Sequence, residues 1–320
     1  MARSETEIKV DMSEVNVENQ SPIVAVRNSK VKTLEEAVAE RIPEHSPSIW
    51  VGGMHMHNVP MALVRECIRQ RRKFETLYAG PSYSLAAELL IGAGLVEQVI
   101  CAYIGFEHLG MAPVFRRVVE SGAKEPRIVD VEAGSLIMAL QAGAWGQPFA
   151  PLPPGVENSD LPTSAPDYYK EVTDPFTHQV FLAVRAIRPA VALIHCQQSD
   201  EFGNGIFKGS PFNDHLLAMG ADTVIMQVEG IISNDQVLKY PAQTGIPSFR
   251  TDAVVPVTFG CHPASSHRYY NYDDVHLRLY LKAAATPEGF DDYMRQYVVE
   301  PDDQEEYMRR VQNQEWMGEF

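Results

Sequence analysis

Cysteine is scarce in this 320-residue chain. Cys67, Cys101, Cys196 and Cys261 stand far apart and no C-x-x-C pair occurs. That spacing excludes a zinc framework and a disulfide-dense scaffold, and it predicts a reduced, cytoplasmic setting. Basic residues are also few: 27 Lys and Arg face 42 Asp and Glu, a formal charge of −15. Nucleic-acid phosphates need clustered cations, so no nucleic-acid partner is expected. The one basic cluster, Arg69 to Lys73, reads as the solvated last turn of a helix, complementing its dipole. No uncharged apolar run of about 18 residues occurs, so no segment is expected to span a membrane. The first 30 residues hold no apolar segment, and no secretory signal is expected there. Neither a G-x-S-x-G elbow nor a Walker loop is present, which removes serine-hydrolase and NTPase chemistry.

What is present is a chain able to bury a large core, with 45% hydrophobic and 22% charged residues. Residues 1–29 are polar and weakly periodic and read as a flexible tail; residues 30–320 read as one folded domain. Thr33 with Glu36 forms a capping-box pattern at the start of a helix. Short apolar runs then alternate with helical periodicity. Strands are expected at Ser48–Val51, Thr76–Ala79, Val99–Ile104, Arg127–Val131, Val191–Cys196, Thr223–Val228 and Ala253–Val257. Helices are expected at Pro60–Arg71, Leu85–Ala93, Ala112–Glu120, Ser135–Ala144, Asn213–Met219, Val275–Ala284 and Glu288–Val298. This alternation predicts an α/β fold: an open, mostly parallel sheet with helices on both faces. Between Phe149 and Asp174 prolines accumulate, and the segment reads as a long, irregular connection.

The most informative stretch is Gly52-Gly53-Met54-His55-Met56-His57-Asn58-Val59-Pro60, a strand running into paired glycines and then a helix. Paired glycines let backbone approach a ligand and turn N–H groups toward it; a plain tight turn is the alternative. Gly92-Ala93-Gly94 follows a helix rather than a strand, so it reads as a C-cap and no dinucleotide cofactor is expected.

Gly52-Gly53-Met54 followed by Pro60 resembles the Gly-Gly-Phe-x3-Gly-x-Pro signature of the family I CoA-transferases. Asn58 stands at the third glycine and Met54 at the aromatic. The α subunit of glutaconate CoA-transferase also lacks that glycine. The likeness runs from about Lys32 to Val311. It includes Pro60 to Glu66, Leu90 to Gly94, Arg116-Arg117, Ile194 to Gln198, Thr251 to Val255, His262 to Ser265, and Tyr270-x-Tyr272-Asp273.

The resemblance implies an α subunit of a heteromeric transferase, α2β2 in form, with a homologous β subunit. It would move CoA between carboxylic acids through a glutamyl-CoA thioester. The acyl-CoA would carry a second carboxylate, CoA would be the co-substrate, and no other cofactor or metal would be needed. In the family the nucleophilic Glu lies in a Ser-Glu-Asn-Gly motif on the β half. This chain has no Glu-Asn-Gly, and Glu157-Asn158-Ser159 lies in the proline-rich connection. The nucleophile would therefore come from the partner.

The same likeness gives Gly52, Gly53, Met54, His55, His57, Ser82, Gln197, Gln198 and His262 as substrate- or CoA-binding candidates. Glu107, in Gly105-Phe106-Glu107-His108 after a strand, is a candidate acid, base or nucleophile; an inter-subunit or capping carboxylate is the alternative. Glu132, in Asp130-Val131-Glu132-Ala133-Gly134, resembles a glutamate of the related CoA-dependent ring-opening hydrolases; a helix N-terminal acid is its alternative. His55 and His57, two apart, have the spacing of a metal pair but no third ligand in view. His195, inside an apolar run, reads as a satisfied core histidine. Two further functions stay open: a thioester or C–C hydrolase using Glu107 or Glu132, and a non-catalytic partner subunit.

Overall fold

The computed structural model describes residues 27–122 and 124–312; most of the expected tail over 1–29 lies outside the described residues. The chain opens with α1 (Leu34–Arg41), where Thr33 and Glu36 close the capping box. Four βα units follow: β1 (His45–Val51), α2 (Met61–Arg69), β2 (Lys73–Ala79), α3 (Leu85–Gly92), β3 (Val96–Cys101), α4 (Pro113–Ser121), β4 (Arg127–Asp130) and α5 (Ala133–Ala144). Next come β5 (Phe149–Pro151), α6 (Leu161–Ser164), β6 (Tyr169–Thr173) and β7 (Val180–Arg185). The chain then continues through β8 (Val191–Ser199), β9 (Gly205–Ile206), α7 (Asp214–Gly220), β10 (Thr223–Ile231), α8 (Asn234–Lys239), β11 (Thr244–Ile246) and β12 (Ala253–Pro256). Helices α9 (Asp274–Ala283), α10 (Pro287–Met294) and α11 (Gln304–Gln312) close it, with a π turn over Arg295–Val299 extending α10.

The main sheet is nine-stranded. Its parallel part runs β4-β3-β2-β1-β8-β10-β12, and every neighbouring pair in that run is parallel. Strands β9 and β11 add an antiparallel hairpin beyond the end of β8, where Asp200 to Gly205 supplies the expected turn residues. Strand order grows outward from β1 in both directions. Right-handed crossovers therefore put the helices of the two halves on opposite faces. In keeping with that, α1, α2, α3 and α4 pack in succession, while α5 packs on α7. The open parallel sheet covered by helices is as the sequence predicts.

The segment from Phe149 to Asp174 is a correction. It is not an irregular connection: β5 and β6 flank β7 in a three-stranded antiparallel sheet of their own. The prolines mask this, because a strand with Pro reads as a breaker. Here Pro151 lies on β5, an edge strand, where an outward-facing ladder position needs no N–H donor. The central β7 contains no proline.

Helix α2 is buried at every position from Met61 to Ile68, charged residues included. Arg65 lies 3.7 Å over the Tyr307 ring and donates to the His262 carbonyl and the Gln304 side chain. Glu88 of α3 is fully buried, yet its carboxylate accepts from the amides of Val114 and Phe115 and the Tyr280 hydroxyl. It thereby satisfies the N-terminal donors of α4 and joins α3, α4 and α9. Among the described residues no helix is long and apolar enough to cross a membrane. All four cysteines are free and buried.

Candidate functional site at the strand carboxyl ends

In open α/β sheets a ligand crevice forms where strand order reverses, outside the carboxyl ends of the strands. Here that point falls between β1 and β8; β1 runs into Gly52-Gly53, and β8 carries Gln197-Gln198 just before its end at Ser199. The Gly52 amide continues the sheet, donating to the Leu193 carbonyl at 2.6 Å. The Gly53 amide donates to both oxygens of Asp214, at 2.9 and 3.1 Å. Each glycine is required for its own reason. A Cβ at Gly52 would stand 2.8 Å from Asp214 Oδ1; Gly53 has φ +79°, and its Cβ would meet the His57 carbonyl at 2.5 Å.

These bonds correct the donor role expected of the bend. Its two glycine amides are already occupied, one by β8 and one by Asp214. Met54 donates to His57 and His55 donates to Ser82, so their amides are used as well. The cavity among Gly52, Gly53, Met54, His55 and Ser82 holds only about 10 Å³, room for one water at most. Among the described residues no cation pairs with the buried Asp214, and burial pushes its carboxyl up to about 8 against the pull of the Gly53 amide. It is the group sequence reasoning missed. Its only local signal is a place in the first turn of α7, which says nothing about a glycine 161 residues away.

Outside the bend the loops after β1, β2 and β3 are stitched into a rim. Tyr83 donates to the Tyr103 carbonyl, Gly105 donates back to Tyr83, and Ser84 Oγ donates to the His55 carbonyl. Three expected residues meet there. His55 Nδ1 lies 2.7 Å from Glu107 Oε1 and 2.5 Å from Ser82 Oγ. His55 and Glu107 are both held in the left-handed region, at φ 53° and 55°. Such conformations are costly for non-glycine residues and concentrate at working sites. The Glu107 side chain is 44% exposed, and no backbone amide among the described residues donates to its carboxylate. It is a charge that a ligand or partner can reach.

Beside it, His57 Nδ1 sits 2.6 Å from Ser265 Oγ, with its ring near His267 and Tyr272. Burial and the neighbouring His267 and His55 keep His57 from protonating as readily as a free histidine. Asn58 explains the missing third glycine. At φ 54° it occupies the region Gly would take, and Asn tolerates that region best among other residues. Its buried side chain accepts from Gln197 and the His267 amide and donates to the Ser210 carbonyl. Gln197 is thus fully buried, bonded to Asn58 and to the Lys208 amide; it braces the site without lining it. Gln198 is half-buried beside Tyr269.

Two candidates stand elsewhere. Glu132 is the N-cap of α5: its carboxylate accepts from the Gly134 and Ser135 amides at 2.7 and 2.6 Å and from Ser135 Oγ. Burial raises its pKa, but those bonds outweigh it and hold the group ionised. A carboxylate so saturated is a poor base, so the capping alternative holds. His262 is likewise committed, one ring nitrogen to the Tyr307 hydroxyl and the other to Asp273. It belongs to the aromatic cluster under α9 to α11, with no nitrogen left for substrate.

His195 is the expected core histidine, bonded to Ser266 and Gln227, and burial lowers its pKa to about 3. Ligand atoms of His195, Glu229 and Cys261 lie within 4.8 Å of one another. Glu229 accepts from Tyr270 and the Phe259 amide, and burial raises both its carboxyl and the Cys261 thiol. Burial thus disfavours a charge on each member of the trio, and their polar atoms are taken up by neighbouring side chains and amides of the core. His55 and His57 each engage a different partner through Nδ1, Ser82 with Glu107 for one and Ser265 for the other.

Fold and rim together define an α/β protein with a set of polar groups gathered at a sheet crossover point. A family model described as coenzyme A transferase matches residues 31–256. The chain belongs to the coenzyme A transferase family. It is 31% identical to a glutaconate CoA-transferase subunit of Acidaminococcus fermentans, over 88% of this chain and 92% of that one. The crystal structure of glutaconate coenzyme A-transferase from that organism matches the fold with a TM-score of 0.82 at 29% identity, covering 89% of this chain and 93% of that one. The cholesterol ring-cleaving hydrolase IpdA subunit of Mycobacterium tuberculosis is 29% identical over 84% of this chain and 93% of its own length. An uncharacterized Archaeoglobus fulgidus protein is 32% identical over 88% of this chain, which spans 62% of that relative.

Proposed function

We propose that this chain is the α subunit of a heteromeric CoA-transferase, working with a homologous β subunit in an α2β2 or larger assembly. Its substrates would be an acyl-CoA with a second carboxylate and an acceptor carboxylic acid, with CoA as co-substrate. The observation that carries the reading is the match of the coenzyme A transferase family to residues 31–256 together with the His55, Glu107 and Ser82 rim at the strand carboxyl ends. With the Gly53 amide on Asp214 and about 10 Å³ of space, the reacting carbonyl has no enclosed seat in this chain alone. The reaction needs a carboxylate that attacks the thioester carbonyl, forming an anhydride that CoA thiolate reopens to a glutamyl-CoA thioester. Supply of that carboxylate by the β chain fits the absence of a Glu-Asn-Gly segment here. His55, held by Glu107 and Ser82, would hold the far carboxylate of the acyl group at the rim. Four buried free thiols suit a reducing, cytoplasmic location.

A second reading has its own support: Glu107 is exposed, beside a histidine and free of backbone donors, and one relative is a hydrolase subunit. There Glu107 would take a proton from water as the oxygen attacks the thioester carbonyl and CoA thiolate leaves. Incubating the co-purified pair with acyl-CoA, then trapping with borohydride or hydroxylamine, separates the two by mass spectrometry. A glutamyl adduct on the partner chain is the expected result. No adduct, with CoA released in the absence of an acceptor acid, would replace transfer with hydrolysis.

A further inference from the structure

Away from the rim, a cavity of about 440 Å³ opens between the end of α5 and the small antiparallel sheet. Tyr78 of β2, Gln147, Tyr168, Arg185 of β7 and Arg188 line it. Tyr78 is fixed by stacking on Trp50, with centroids 5.7 Å apart. Arg188 is fixed through Nε, which donates to the Gly143 carbonyl at 3.1 Å. Among the described residues the Arg185 guanidinium has neither an ion pair nor a hydrogen bond, and the hydroxyls of Tyr78 and Tyr168 have no partner either. Burial, Tyr78 and Asp167 raise the pKa of the Tyr168 hydroxyl, and Arg185 and Arg127 oppose them. Gly146, at φ +73°, keeps the rim open; a Cβ there would lie 3.4 Å from Arg188 Nη2.

Two guanidinium groups and two phenols form a lining rich in donors, in a protein whose charge is −15. Unspent arginine donors in a fixed fork match the oxygens of a phosphate or phosphate ester. The geometry points to this cavity as a binding site for a phosphate-class oxyanion, with Arg185 as its principal ligand and Tyr78 and Tyr168 as hydroxyl donors. The site is independent of the rim and of the transferase reading. A free oxyanion and the phosphoryl group of a nucleoside monophosphate share this chemistry, the latter adding a flat ring for the tyrosines to face.

Calorimetric titration of the full chain with orthophosphate and with AMP, at constant ionic strength set by chloride, tests it. Saturable binding is expected, weakened at least about tenfold by Arg185→Gln, the effect of losing a charge-assisted hydrogen bond. Tyr168→Phe should weaken it less. Arg185 is exposed, so the melting temperature of Arg185→Gln without ligand should equal that of the wild type. Tighter binding of AMP assigns the site to phosphate esters; equal binding assigns it to the free ion. No saturation with either, or equal affinity in wild type and Arg185→Gln, overturns the site. Assembly with the second chain that fails in Arg185→Gln would overturn it too, by giving the cavity to a subunit interface.

Discussion

The loops after β3 and β4 each carry a glutamate to the same edge of the sheet, and the two carboxylates end in opposite conditions. Glu132 stands one residue before a helix, so three donors from Gly134 and Ser135 converge on it. Glu107 opens a single 3-10 turn with its own φ in the left-handed region, 44% exposed, with the His55 ring against it. The difference is not in the residue type or in the strand before it. It lies in whether the next backbone amides are free to turn back on the carboxylate, as they are at a helix N-terminus. Asp214, buried under β1 and bonded to the Gly53 amide, is a third condition: an acid that titrates near neutrality.

The largest effect should come from Asp214. Its folded-state pKa, raised to about 8, means the folded chain binds that proton more tightly than the unfolded chain. The contribution to stability is therefore full in acid and is lost as pH rises through about 8. Asp214→Asn cannot ionise, so denaturant melts between about pH 4 and pH 8 should show it gaining on the wild type by up to about 1.4 kcal/mol per pH unit, with no further gain above about pH 8. Equal slopes for the two proteins would place Asp214 with Glu132 among ordinary ionised carboxylates.

Glu107→Gln should next lower kcat/KM of the assembled enzyme by about ten- to a hundredfold, the worth of one charge-assisted hydrogen bond. The melting temperature should stay put, because the side chain is half exposed. Unchanged kinetics would erase the contrast with Glu132. Asn58→Gly relieves the left-handed strain but strips partners from buried Gln197, so a net loss of about 1–3 kcal/mol is expected in urea melts. A gain in stability would mean that the backbone term outweighs the bonding. Smallest of all, Glu132→Ala should cost about 1 kcal/mol as a lost cap and leave steady-state kinetics alone. A kinetic defect larger than that of Glu107→Gln would invert the comparison.

Much of this is legible in the residue order. The βα alternation places each strand of the parallel sheet, because buried parallel strands read as short continuous apolar runs. Thr33 with Glu36 marks α1, and Gly52-Gly53 marks the end of β1. His55, Ser82 and Glu107 each stand out by their places after strands. Their convergence on one nitrogen is not visible, since they stand on three separate loops. Proline hides β5, whose edge position tolerates it, and the prolines that precede β6 hide that strand too. The amide occupancy at Gly53 is hidden for a related reason: its acceptor comes from α7, a distant helix on the far side of the crossover.

Local composition by itself fixed the α/β class, the position of the bend, the αL-tolerant Asn58 and the lack of any Glu-Asn-Gly segment, because each depends on neighbours within a few residues. Which carboxylate is saturated, which is exposed and which is kept protonated was settled only by the packed chain. Those states are set by burial and by donors arriving from elements far apart in sequence, and no reading of spacing contains either.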